Sequence, residues 1–313
     1  MYIGVDIGGT NVKIGIVTKT GRVIDSMSFK TNMPKSADTL IDEIIQNIKS
    51  LILQDNLKLE DINAIGFGIP GLIDSKNGII LKAANLGWSK VDFLRKFNSK
   101  LNIPAKIEND ANCALLGEAR FGVAKNFKNL ILITLGTGIG SSIMVDGKLL
   151  PGNSFNGECG HMVINKDGEE CPCGRRGCWE RYASASALTR KTILVAKEHP
   201  ESKINDIIRK WNGQVSAITT FNAAKLGDIV AKKLVNEYID NVTCGLVNLA
   251  WIFHPECFII AGGVANEGGD FIALLQNKMD NFVRENDFYP SIEIKKTVLG
   301  RNLGIVGAAS LVM

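Results

Sequence analysis

The chain has 313 residues, of which 45% are hydrophobic and 22% charged, with a formal net charge of +4 from 36 basic and 32 acidic side chains. This make-up suits a soluble globular protein long enough for two domains. The charge excess is thinly spread, with no basic run of the nucleic-acid-binding kind, and the apolar runs are strand-sized, far below a bilayer span. Met1-Tyr-Ile-Gly-Val-Asp6 enters a strand pattern directly, without the basic and apolar regions of a leader, and seven cysteines, three of them clustered, suit a reducing compartment. A cytoplasmic protein that binds neither membrane nor nucleic acid is expected.

Tyr2–Asp6 reads as an apolar strand, Gly8-Gly9-Thr10-Asn11 as a tight turn, Val12–Val17 as a second strand and Arg22–Lys30 as a third. Strand, glycine turn, strand is a hairpin and lacks the helix of a dinucleotide-binding unit. Ala37–Leu53 has apolar residues at helical spacing. Ile62–Ile69 is a buried strand ending at Pro70-Gly71, and Ala105–Glu108 is a short strand, after which Asp110 is expected to cap a helix through Arg120. Leu130–Leu135, Gly136-Thr137-Gly138-Ile139-Gly140 and Ser141–Val145 form a second hairpin. Its likeness to the first, about 130 residues earlier by pattern rather than identity, suggests two related lobes. The back half is read as mostly helical, with Ser184–Lys197, Leu226–Trp251 and a helix near Asp270–Arg284. Glu256–Ile260 is a strand ending at Ala261-Gly262-Gly263, Ile292–Ile294 is a last short strand and Leu303–Leu311 a terminal helix. Hinges are expected near residues 110 and 300, giving a small α/β lobe of 1–109 plus 300–313 and a large one of 110–299.

Five segments carry chemistry. His161, Cys171, Cys173 and Cys178 supply one imidazole and three thiols within 18 positions, enough to close a tetrahedral Zn²⁺ site. Reduced core thiols are the alternative, though Arg175, Arg176 and the nearby glycines make a poor core segment. Glu158 and Glu180 flank this loop and can present carboxylates to a polar ligand. The turn Asp6-Ile-Gly8-Gly9-Thr10 can cradle phosphate, since glycine lets a polyphosphate approach the backbone and Asp6 can hold Mg²⁺ through water; a plain hairpin would use the same glycines. Gly136-Thr137-Gly138 and Gly262-Gly263 repeat the device at other strand ends, and together the three turns suggest a clasped nucleotide. Glu108-Asn109-Asp110 combines an amide that can read a hydroxyl with a carboxylate that can take a proton. Position alone would make Asp110 a helix cap.

The ordered set Asp6-Ile-Gly-Gly-Thr10, Glu108-Asn-Asp110-Ala-Asn112, Leu135-Gly-Thr-Gly-Ile-Gly140, Glu158-Cys-Gly-His161, Cys171-Pro-Cys173-Gly-Arg-Arg-Gly-Cys178-Trp-Glu180 and Ala261-Gly-Gly263 resembles the ROK family of sugar kinases and repressors, most closely its bacterial glucokinases. The resemblance implies an actin/hexokinase-like (ribonuclease H-like) ATPase fold, α/β in class, with two lobes and a cleft. It implies that Asp110 is the base for the sugar 6-hydroxyl, that Gly71, Asn109, Asp110, Glu158, His161 and Glu180 bind the sugar, and that Asp6, Gly8, Gly9, Thr10, Asn11, Gly136, Thr137, Gly138, Gly262 and Gly263 serve ATP and Mg²⁺. His161, Cys171, Cys173 and Cys178 would ligate a structural zinc, with the second ring nitrogen of His161 facing the sugar. Asn11 stands where many members carry lysine, and Ala261 where a glycine is frequent. The implied substrate is glucose or a related hexose or N-acetylhexosamine, and the implied assembly a homodimer or homotetramer. ROK repressors normally add an N-terminal helix-turn-helix, and with Asp6 already in the phosphate motif none is expected here.

Overall fold

Three glycines in register set the architecture of the first half. The computed structural model describes residues 1–150, 157–267, 270–287 and 290–313. β1 (Tyr2–Ile7), β2 (Asn11–Val17) and β3 (Val23–Lys30) form an antiparallel meander. α1 (Ala37–Gln54) follows, started by Ser36, whose hydroxyl accepts from the Thr39 amide at 3.1 Å, and it buries its apolar stripe from Leu40 to Ile52. β4 (Ala64–Ile69) then pairs parallel with β1, and its register sets Gly66 opposite Gly4, which itself lies opposite Gly15 of β2.

β5 (Leu72–Asp74), β6 (Ile79–Ala83) and β7 (Trp88–Asp92) make a small antiparallel sheet that the sequence pattern does not announce. The strands are short and half polar, so alternation has little room to show. The Ala83–Trp88 stretch folds over within this sheet, with Trp88 buried and its indole N–H donating to the Lys35 carbonyl at 2.8 Å. α2 (Phe93–Asn98) sends Phe93 and Phe97 edge-on against Phe67. β8 (Ala105–Asn109) completes a sheet of order β3-β2-β1-β4-β8 and leads into α3 (Asp110–Phe121).

A second sheet repeats that order. β9 (Leu130–Leu135), β10 (Ile139–Val145) and β11 (Lys148–Leu149) are followed by a helical stretch: α4 (Glu180–Ala183), α5 (Ala185–Glu198), α6 (Lys203–Lys210), α7 (Ala217–Lys225) and α8 (Ile229–Phe253). β12 (Cys257–Ala261), α9 (Gly263–Glu267), α10 (Phe271–Glu285), β13 (Glu293–Lys296) and α11 (Leu303–Ser310) close the chain. The sheet runs β11-β10-β9-β12-β13, with β12 parallel to both neighbours. Each sheet therefore places its first strand at the centre, its hairpin partner on one side and two later parallel strands on the other, as the two-lobe repeat in the sequence suggests. The helical stretch is more broken than expected: α6 and α7 precede α8, which starts only where Asp228 accepts from the Ala231 amide at 2.7 Å. Among the described residues no helix is long and apolar enough to cross a membrane.

The chain divides into two compact units, Met1–Lys128 with Ser142–Asn156 and Thr297–Met313, and Asn129–Ser141 with Gly157–Lys296. The sequence reading places the boundary at 110, but α3 belongs to the first unit, because it packs on α11. A Cβ on Gly117 of α3 would lie 3.0 Å from Gly307 Cα, and one on Gly307 would lie 2.3 Å from the Cys113 carbonyl oxygen. α11 also lies on the glycine row. A Cβ on Gly4 would come within 1.9 Å of Ile305 O, on Gly66 within 1.8 Å of Ala308 O, and on Gly15 within 2.6 Å of Ile305 Cγ2.

Fully buried Glu118 fastens the ends of this unit: its carboxylate accepts from the amides of Val123 at 2.8 Å, Val298 at 3.0 Å and Leu299 at 3.1 Å, and from the Thr297 hydroxyl. Gly66→Ala is expected to push α11 off the sheet and to cost about 3 kcal/mol, the upper range for overpacking. A urea titration should show the fall in midpoint, and an unchanged midpoint would mean that the helix is free to shift.

Candidate active site

The expected catalytic triplet lies where β8 meets α3. Asn109, rather than Asp110, caps the helix: its side-chain oxygen accepts from the amides of Ala111 at 2.9 Å and Asn112 at 3.3 Å. Asp110 is instead the first helical residue, with its carboxylate 3.0 Å from the Ala111 amide. A carboxylate in the first turn is stabilised by the helix dipole. Asn109 also donates from Nδ2 to the Gly71 carbonyl at 3.1 Å, which ties the two expected sugar-binding segments together. Gly71 has φ of +114°, and a Cβ there would meet Lys82 O at 2.3 Å, so the bend after β4 requires glycine.

Glu108, which the sequence reading passes over as a mere neighbour, organises this corner. Its Oε1 accepts from the Asn109 amide at 2.8 Å and from Asn112 Nδ2 at 3.0 Å, and its Oε2 accepts from the Ser75 hydroxyl at 2.7 Å. Asn112 Oδ1 in turn accepts from Ser142 Oγ at 2.5 Å. Little in the sequence could have flagged these partners, because Ser75 and Ser142 lie 33 and 30 positions from the residues they bind.

The first glycine turn sits at the end of β1. The Gly8 amide donates to Asn11 O at 2.9 Å, and the Thr31 hydroxyl donates to Gly8 O at 2.8 Å, while Gly9, Thr10 and Asn11 are exposed. Asp6 closes the strand with its carboxylate 3.8 Å from Lys13 Nζ. Burial raises its pKa, and Lys13 opposes that shift. The first turn of α11 comes down on the same carboxylate, since a Cβ on Gly304 would lie 2.3 Å from Asp6 Oδ2.

In the second unit, the Gly136 amide donates to Gly138 O at 3.0 Å and the Gly140 amide to Thr134 Oγ1 at 3.1 Å. Gly262, at φ of +107°, lies against the β9 end of this turn, where a Cβ would be 2.2 Å from Leu135 O. Gly263 follows as the first residue of α9. The two expected nucleotide segments of this unit, Gly136–Gly138 and Gly262-Gly263, are thus adjacent.

The cysteine loop packs on the other side of that turn. A Cβ on Gly160 would meet Ile139 O at 2.3 Å. Backbone bonds from Cys171 N to Arg175 O, Gly174 N to Cys171 O and Gly177 N to Glu169 O fold residues 169–177 tightly. His161, Cys171, Cys173 and Cys178 converge, with one ligand atom of each within 4.8 Å of the others. The Cys171 Sγ to His161 Nδ1 and Cys173 Sγ to Cys178 Sγ separations are both 3.6 Å. A tetrahedral zinc with bonds of about 2.3 Å to sulfur and 2.0 Å to nitrogen demands edges of about 3.8 and 3.6 Å, so the donor set fits that ion. It does not fit a core of inert thiols, because Cys173 is exposed and His161 only half-buried.

His161 turns Nδ1 to the thiols, leaving Nε2 on the far side of the ring. Glu180, at the start of α4, bridges the loop and the glycine turn. Its Oε1 lies 3.2 Å from Cys171 Sγ and 3.7 Å from His161 Nδ1, while a Cβ on Gly138 would be 2.5 Å from its Oε2. Glu158 precedes the short turn Cys159–His161 and is exposed. Each unit thus gathers its own expected residues: Asp6, Gly71, Asn109 and Asp110 in one, Glu158, His161 and Glu180 in the other.

The pattern is matched by known proteins. The ROK family model matches residues 2–313. The chain belongs to the ROK family. It is 32% identical over 313 residues to a glucokinase of Halalkalibacterium halodurans, covering 99% of this chain and 94% of that protein. A ROK glucokinase from Streptomyces griseus, solved in complex with glucose and AMPPNP, has 33% sequence identity and superposes with a TM-score of 0.82 over 99% of this chain and 98% of its own. The α/β, actin/hexokinase-like fold class expected from the sequence is therefore the one observed. The xylose repressor of Bacillus subtilis is 31% identical over 312 residues, covering 99% of this chain and 76% of the repressor.

Burial pushes the Cys171 thiol up to about 12 and raises that of Cys178, whereas the Arg175 amide holds Cys173 down. A zinc ion must displace the protons of the two raised thiols, so its binding releases protons and weakens as the pH falls. Metal analysis should find zinc equimolar with the chain, and a chelator should extract it faster at pH 5.5 than at pH 8. A chain purified without metal that still takes up none when zinc is supplied would count against the site.

Proposed function

We propose that the protein is an ATP-dependent sugar kinase that transfers the γ-phosphate to the 6-hydroxyl of glucose. The observation that carries this is Asp110 at the start of α3, next to Asn109, whose side chain caps that helix and reaches Gly71. That arrangement offers a hydroxyl both a base and an orienting amide. The similarity to glucokinases along nearly the whole chain supports glucose over other hexoses.

Phosphoryl transfer depends on alignment and charge stabilisation more than on covalent help. In this reading Asp110 takes the proton from the attacking hydroxyl, and Asn109, Glu158, His161 and Glu180 hold the remaining hydroxyls. The turns at Gly8–Asn11, Gly136–Gly138 and Gly262-Gly263 offer backbone amides and the Thr10 and Thr137 hydroxyls that would serve the phosphates. Mg²⁺, when bound, neutralises phosphate charge, and in this reading Asp6 would hold it through water. A zinc ion held by His161, Cys171, Cys173 and Cys178 would supply shape, since these four residues would fill a tetrahedral shell and leave no place for a reacting water. Ligation through Nδ1 would leave the His161 Nε2–H as a donor of fixed direction.

The similarity to repressors favours a second reading, a sugar-binding protein without turnover. Asp110→Asn separates the two. It keeps the size and polarity of the side chain and removes the base, so turnover should fall about 10²–10⁴-fold while glucose affinity changes little. ADP formation and glucose calorimetry on the same preparations check this, and turnover equal to that of the parent would remove Asp110 from the mechanism. ATP hydrolysis should also depend on sugar, since water would otherwise compete as acceptor.

A further inference from the structure

The second unit holds a cavity that none of the assigned residues uses. It measures about 690 Å³ and lies between the Glu169 segment, α4, α5 and α8. That size is in the range of small-molecule sites, about 300–1,000 Å³. Its floor is apolar and fully covered: Leu188, Leu234 and Tyr238 are each under 5% exposed. Tyr238 spends its hydroxyl on the Ala183 carbonyl at 3.0 Å, so only its ring faces the cavity wall.

The rim is cationic and incompletely paired. Arg181 Nη2 and Arg190 Nη2 lie 3.2 and 3.1 Å from the same oxygen of Glu169. One carboxylate oxygen therefore serves two guanidinium groups. Lys191 adds a third cation, matched by Glu237 at 2.8 Å. Most telling is Arg181 Nε, which is buried and makes no hydrogen bond. A buried N–H without an acceptor costs free energy, so this guanidinium is held with its bonding incomplete. The Glu169 pairs are partly exposed and therefore screened by solvent, so an incoming anion can displace that carboxylate at small cost.

We infer that this cavity binds a small anionic amphiphile, with an acid head group on Arg181 and Arg190 and a hydrocarbon body on Leu188, Leu234 and Tyr238. A carboxylate and a phosphate monoester share this chemistry. Either would match two guanidinium groups, which now share one carboxylate oxygen, with a second anion. The proposal is independent of the kinase reading, since no residue of the cavity is assigned to sugar or nucleotide.

Calorimetric titration of the full chain with octanoate, octyl phosphate and neutral 1-octanol tests it. One of the two anions should bind saturably, one per chain, at least tenfold more tightly than 1-octanol, and the tighter anion identifies the head group. Arg181→Gln should weaken that binding tenfold or more, and Arg190→Gln, on a half-exposed side chain, provides the same test should the first variant fail to fold. The inference is overturned if neither anion saturates, if 1-octanol binds as well, or if both arginine variants bind like the parent. It is equally overturned if sedimentation shows a dimer that Leu194→Glu dissociates while the parent takes up no anion, since a second copy would then cover the cavity.

Discussion

Backbone packed directly on backbone is the constraint from which the first unit follows. α11 lies so close to β1, β2 and β4 that Gly4, Gly15 and Gly66 leave no space for a methyl group. The same helix crosses α3 at Gly117 and Gly307 and sets Gly304 on the Asp6 carboxylate. Two functional corners thereby hang from one contact. The end of β1 carries Asp6 and its glycine turn, and the start of α3 carries Asn109 and Asp110. Interiors packed this densely transmit small displacements, so an added methyl far from either corner reaches both. Glu118 secures the arrangement from the other side by gathering amides from residue 123 and from residues 298–299 around one buried carboxylate.

The second unit adds a constraint of another kind in its cysteine loop. Residues 158–180 are rich in glycine and charge; fully buried Trp179 anchors their end, while Met162, Val163 and Ile164 are only partly buried, so hydrophobic burial alone does not define the shape of the loop. Four converging donors can. Metal coordination supplies a few strong, directional bonds where many weak contacts are lacking. The loop then delivers Glu180 against Gly138 and sets the orientation of His161, which couples the cysteine cluster to the glycine turn beside it. Sequence separation hides this coupling: Gly138 and Glu180 are 42 positions apart and belong to motifs that read as independent.

What was legible in the sequence follows the physics of each signal. The stripe on α1 was readable because seven apolar side chains repeat at helical spacing. The cysteine cluster was readable because its donors are close in sequence and chemically scarce. Both hairpins were readable because glycine turns interrupt apolar runs. The glycine row was not, since an isolated glycine in a strand looks only like a weak position, and its meaning comes from register across three strands. The structural roles of Glu108 and Glu118 were invisible for a related reason: a structural carboxylate is defined by its donors, and those arrive mostly from distant segments. The cap at Asn109 rather than Asp110 turns on a single residue of helix phase, a distinction that composition does not carry.

The central claim is that this set of residues moves phosphate from ATP to a sugar. The most direct test is ADP formation with Mg²⁺ by the zinc-loaded protein across glucose, N-acetylmannosamine, fructose, mannose, allose and N-acetylglucosamine, with the phosphorylated position read by NMR. The account predicts a rate with glucose far above the others and phosphate on the 6-hydroxyl. A folded, zinc-loaded sample that forms no ADP in response to any of these sugars would contradict it.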